Sequence, residues 1–243
     1  VTESVAVFVH GYGVRGSFWS ALRPLAEQRF SIVLTPDLEV QGCWAGVALL
    51  SEYVSMVHRT YGVPVVLIGH SFGTTIAALA ARDLGAGIVS HLVLIAGPYG
   101  EPVGRSFSLL YRLLFAMKVL PSRTIQNRLY GRDVPDRIKA EIRRTHVTEA
   151  ATFRRELHRQ KRWYHTGTFG AGLDRPSLVI ASAKDRMVSV RETTEFARAV
   201  GATLHVFSAV ERIGHNDFGV YPPAAERTWR VIDRFLDESG IEG

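Results

Sequence analysis

With 243 residues and 47% hydrophobic content, the chain is long enough to bury a sizeable core. A lone cysteine, Cys43, excludes an internal disulfide framework, and no apolar run reaches the roughly 18 residues that a membrane-spanning helix needs. The formal charge of +6 is concentrated in one stretch, since residues 105–162 hold 15 of the 29 Lys and Arg but 5 of the 23 Asp and Glu.

Runs rich in β-branched residues at Ser4 to Val9, Phe30 to Thr35, Pro64 to Ile68, Ser90 to Ala96, Pro176 to Ala181 and Thr203 to Phe207 predict six strands buried on both faces. Helical patterns lie between most of them, at Ser17 to Gln28, Trp44 to Tyr61, Phe72 to Leu84 and Val190 to Val200, with a last one at Pro223 to Glu238. Such alternation implies crossover units and a mostly parallel sheet with helices on both faces. The stretch from Pro98 to Arg175 has no strand pattern. It carries an apolar helix over 109–120, a short helix up to Tyr130, and further helices at Asp136 to Arg144 and Glu149 to Tyr164, punctuated by Pro121, Gly131 and Pro135. We read residues 99–170 as a helical cap over the carboxyl edge of the sheet, inserted before the fifth strand, and residues 1–98 and 171–243 as the core.

Open parallel sheets bind ligands beyond the carboxyl ends of their strands. There the chain places "HGYG" (10–13) after the first strand, "GHSFG" (69–73) after the third, "KDRM" (184–187) after the fifth and "ERIGHNDF" (211–218) after the sixth. Ser71, Asp185 and His215 thus follow three different strands. A serine hydroxyl is a weak nucleophile at neutral pH and needs a base, for which His215 is the candidate. Asp185 is placed to fix the tautomer of that imidazole, with Asp217 and Asp37 as rival carboxylates. Phe72 opens a helix, where backbone N–H groups and the dipole favour an oxyanion. His10 and His70 read as structural members of their turns.

Gly-His-Ser-Phe-Gly between a strand and a helix, the upstream His-Gly-Tyr-Gly, and the chain order Ser, Asp, His resemble the α/β-hydrolase superfamily over nearly the whole chain. The resemblance implies an α/β-hydrolase fold, a catalytic triad of Ser71, Asp185 and His215 on a nucleophile elbow, and an oxyanion hole from the backbone N–H groups of Tyr12 and Phe72. It implies no cofactor and no metal. Two departures stand out: "DLEVQGCW" (37–44) keeps little of the usual loop after the second strand, and Thr74 stands where a further glycine is usual.

The expected activity is that of a serine esterase or thioesterase working through an acyl-enzyme. A carbon–carbon bond hydrolase of the same fold and a non-catalytic ligand-binding relative are the alternatives. Leu113 and Met117 on the apolar cap helix, together with Trp44 and Trp163, are candidates to line an acyl pocket. Arg143 and Arg155 are candidates to meet an anionic substrate, such as a CoA ester or an acidic carrier protein; the alternative for these arginines is a solvated surface. A nucleic-acid role rests on the pI of 9.7 alone and ranks last, because the basic segment carries no recognised binding motif. A cytoplasmic location is the expectation from the lone cysteine, although a chain opening on Val1 is equally compatible with a removed signal peptide.

Overall fold

The structure, a computed structural model, describes residues 4–99, 128–147, 150, 152 and 168–240. Six strands, β1 (Val5–Val9), β2 (Ile32–Leu34), β3 (Val65–His70), β4 (Val89–Ile95), β5 (Ser177–Ser182) and β6 (Thr203–Phe207), form one sheet in the order β2-β1-β3-β4-β5-β6. Every neighbouring pair is parallel. The helices of the described residues are α1 (Arg23–Ala26), α2 (Cys43–Tyr61), α3 (Phe72–Leu84), α4 (Asp136–Thr145), α5 (Val190–Val200), α6 (Asp217–Val220) and α7 (Pro222–Glu238).

Alternate side chains of each strand feed two cores, as the two-residue period of a pleat requires. Val5, Val7 and Val9 of β1 pack with α2, α3 and α5 on one face, through Leu50, Ile76 and Phe196. Ala6 and Phe8 pack on the other with Phe18, Trp19, Leu22, Trp229 and Ile232. Crossover helices on both faces leave β1, β3 and β5 fully buried, and the long apolar runs at those positions follow from that.

The expectation of six strands buried on both faces fails at the edges. β6 is an edge strand and only Phe207 of it is buried; β2, at the other edge, shrinks to three residues. The helix expected over Ser17 to Gln28 also divides, into a 3-10 turn at Gly16–Trp19 and the short α1. Pro24 explains the break, since its ring would clash with the carbonyl four residues earlier and is tolerated only in a helix's own first turn. Of the expected cap, α4 and its flanks are described. The apolar helix at 109–120 and the helix at Glu149 to Tyr164 lie outside the described residues, as do Leu113, Met117, Arg155 and Trp163.

Candidate active site

Between the last residue of β3 and the first of α3 stands Ser71, at φ 51° and ψ −125°. A non-glycine residue in that region costs on the order of 1–3 kcal/mol, and its surroundings must hold it there. Its N–H donates to Ile95 O at 2.9 Å, and its carbonyl accepts from the Thr74 N–H at 3.0 Å and the Thr74 hydroxyl at 2.6 Å. Thr74, unusual at this place, therefore clamps the corner. Glycine is needed on both sides of the serine. A Cβ on Gly73 would lie 2.5 Å from the carbonyl oxygens of Val9 and His10, and one on Gly69 would lie 2.8 Å from Gly73 O. These contacts seat α3 on the end of β1 and project the hydroxyl outward.

The imidazole of His215 meets that hydroxyl. Ser71 Oγ lies 2.8 Å from His215 Nε2, and Asp185 Oδ2 lies 2.7 Å from His215 Nδ1, with the histidine and aspartate side chains almost fully buried. The other oxygen of Asp185 accepts from the N–H groups of Met187 at 2.7 Å and Val188 at 3.0 Å. Both carboxylate oxygens are thus engaged, and the one facing His215 takes its Nδ1–H. Nε2 is left as the acceptor for the serine proton.

Three strand spacings, roughly 14 Å, separate β3 from β6, so the loop after β6 must run back across the sheet edge to bring His215 to Ser71. Two hydrogen bonds fasten it on the way. Ser182 Oγ, at the end of β5, donates to Ile213 O at 2.6 Å, and His70 Nε2 donates to His215 O at 2.7 Å. His70 is buried, stacks on Phe18 at 4.5 Å, and has its pKa held well below the usual imidazole value by desolvation first and by His215 second. It is a neutral structural donor. His10 is structural as well, donating from Nδ1 to Gly11 O at 2.9 Å and accepting the Leu38 N–H on Nε2 at 3.0 Å. Nothing in the local sequence around Ser182 announces its role, because its partner lies 31 residues away.

The rival carboxylates are occupied elsewhere. Asp37 accepts the Gly16 N–H at 2.7 Å. Asp217, buried, accepts the N–H of Gly214 at 2.6 Å and that of Gly131 at 3.0 Å, and desolvation pushes its pKa up to about 6. Beside Ser71 runs the loop after β1: a Cβ on Gly11 would lie 3.0 Å from Ser71 Cβ, which brings the Gly11–Tyr12 backbone to the flank of the serine. Phe72 is the first residue of the 13-residue α3, at the positive end of its dipole. Trp44 is 48% exposed in the first turn of α2, and Arg143 is exposed in the last turn of α4. Among the described residues no group of His, Cys, Asp and Glu is arranged to hold a metal ion, and no helix is long and apolar enough to cross a membrane.

A doubly wound parallel sheet carrying a serine on a strained strand-to-helix corner, bonded to a histidine and an aspartate from later strand ends, defines the α/β-fold hydrolases. The profile of the Alpha/beta hydrolase family matches residues 6–228, and the chain belongs to that family. Solved structures share the fold. A thermophilic esterase from Thermogutta terrifontis is 19% identical with a TM-score of 0.76, over 99% of this chain and 92% of that one. A lipase-esterase related protein from Clostridium acetobutylicum is 17% identical with a TM-score of 0.77, over 96% and 94%. A meta-cleavage product hydrolase from Pseudomonas fluorescens is 16% identical with a TM-score of 0.69, over 99% and 93%. Comparison with curated proteins returned no match.

Proposed function

We propose that the protein is a serine hydrolase of carboxylic esters or thioesters that works through an acyl-enzyme on Ser71. The observation that carries this reading is the unbroken chain from Ser71 Oγ through His215 to Asp185, at 2.8 and 2.7 Å. In the first half-reaction Ser71 Oγ bonds to the carbonyl carbon while its proton passes to His215 Nε2. The negative charge that develops on the carbonyl oxygen is received by the N–H groups of Tyr12 and Phe72, and each such donor contributes about 3 kcal/mol to the transition state. Collapse breaks the bond to the alkoxide or thiolate, which leaves with the proton from His215. Water then repeats the sequence, and His215 takes its proton and returns it to Ser71 as the acid departs. The Asp185 carboxylate, bonded to Nδ1, stabilises the imidazolium. Acyl transfer to water needs no cofactor.

The basic cap supports an anionic or carrier-borne acyl substrate, with Arg143 at its described end. The test is a panel of p-nitrophenyl esters of increasing chain length beside acyl-CoA and acyl-carrier substrates, with fluorophosphonate labelling of the same preparation. Turnover of at least one ester or thioester and labelling of Ser71 alone are expected. Ser71→Ala activity within about tenfold of the parent would refute the covalent route, because loss of a nucleophile costs orders of magnitude. Labelling of Ser71 without turnover of any member would instead favour carbon–carbon cleavage or ligand binding.

A further inference from the structure

The loop that carries His215 is joined to the cap as well as to the sheet. Asn216 N–H donates to Leu129 O at 2.8 Å, and the carboxylate of Asp217 accepts Gly214 N–H from the base loop and Gly131 N–H from the returning cap segment. The two backbones are in direct contact. A Cβ on Gly214 would run into Gly131 N and Tyr130 C, and one on Gly131 would come 2.5 Å from both Arg212 O and Asp217 Oδ2. At the other end of α4, Val147 N–H donates to Gly13 O at 3.0 Å, on the loop that follows β1. The segment 129–147 therefore touches the loops on both sides of Ser71.

We propose that Asp217 is a positioning residue: its carboxylate clasps the loop of His215 to the returning cap segment and so sets where the imidazole stands relative to Ser71. The proposal rests on the reading of Ser71 and His215 given above. Two N–H donors from separate segments converge on one buried carboxylate, and neither oxygen faces His215 Nδ1, which is bonded to Asp185. The charge around the clasp is mixed. Asp185 opposes ionisation of Asp217, Lys139 on α4 favours it, and the Tyr130 phenol is held protonated, its pKa pushed up to about 12 by burial. Arg212, paired with Asp133, together with Glu211 and Arg227, lines the depression behind it.

The experiment uses the full chain and one neutral p-nitrophenyl ester, with Ser71→Ala as the reference for the underlying chemistry. Asp217→Asn keeps the shape and one acceptor; Gly131→Ala keeps the carboxylate but drives a Cβ against it and against Arg212 O, which pushes the cap side away. Each is expected to lower kcat about tenfold with KM within twofold, and the fluorophosphonate labelling rate should fall in step. Combining them should lose little more than the worse single variant, because both open the same clasp. Parent-like kcat in Asp217→Asn, a labelling rate that does not fall with it, or losses that multiply in the double variant would overturn the proposal. An active Ser71→Ala would instead overturn the reading beneath it.

Discussion

Replacing Asp185 by Asn tests the site at the atom where chemistry and structure meet. Asp185 Oδ1 accepts two backbone N–H groups, from Met187 and Val188, while Oδ2 accepts His215 Nδ1–H. An asparagine has one acceptor oxygen, and two orientations are open to it. Turned so that its oxygen faces His215, its NH2 meets two N–H donors and two buried bonds are lost, at about 1–3 kcal/mol each. Turned the other way it keeps both bonds, and its NH2 faces Nδ1. That second orientation is the stable one, and it forces Nδ1 to accept, so the proton moves to Nε2 and points at Ser71 Oγ. The histidine is then in the wrong tautomer to act as a base. The expected loss in kcat is about 10⁴-fold, equivalent to roughly 5.4 kcal/mol. Steady-state kinetics on the best ester of the panel, with thermal melts to show that the variant folds, measure it. A kcat within tenfold of the parent would refute the reasoning, as would an Asp217→Asn loss larger than that of Asp185→Asn.

Other expectations follow from packing, linkage and charge. Gly73→Ala places its Cβ 2.5 Å from two backbone carbonyl oxygens that cannot turn aside, so it should destabilise the fold by about 3 kcal/mol, read as a lower denaturation midpoint; Gly87→Ala, with nothing within 4 Å, should do little. Asp217 has its folded pKa raised from 3.8 to about 6, so its contribution to stability is fully present below about 3.8 and is lost as pH rises through about 6. Relative to Asp217→Asn, the parent should therefore lose about 2 kcal/mol of unfolding free energy between pH 4 and 6.5 in denaturant titrations. Exchanging Arg143, Arg144, Arg154, Arg155, Arg159 and Lys161 for glutamine should raise KM several-fold for an anionic or carrier-borne substrate and leave a neutral ester unchanged. The same selectivity should fade towards 0.5 M salt, where charges are screened beyond roughly 4 Å; parallel salt curves for the two substrates would rule out recruitment by the cap.

What the sequence by itself determined is what short-range rules control. The corner at Ser71 is legible because a β-branched run, a glycine on each side of the serine and a small-residue helical pattern are all local signals, and the helices at Cys43–Tyr61, Phe72–Leu84 and Val190–Val200 follow from periodicity alone. That Ser71, Asp185 and His215 stand after different strands is also readable, because parallel topology sends every strand's carboxyl end to one edge. Tertiary structure decided the rest. Burial of β6 depends on its being an edge, which its apolar pattern does not encode, and the break before Pro24 outweighs the helical pattern over Ser17 to Gln28. The choice among Asp185, Asp217 and Asp37 rests on partners 30, 86 and 21 residues distant, and no local pattern separates a carboxylate that faces an imidazole from one that clasps two backbones. Hydrogen-bond direction is settled by which donors converge on each oxygen, and chains distant in sequence converge only when the sheet has assembled.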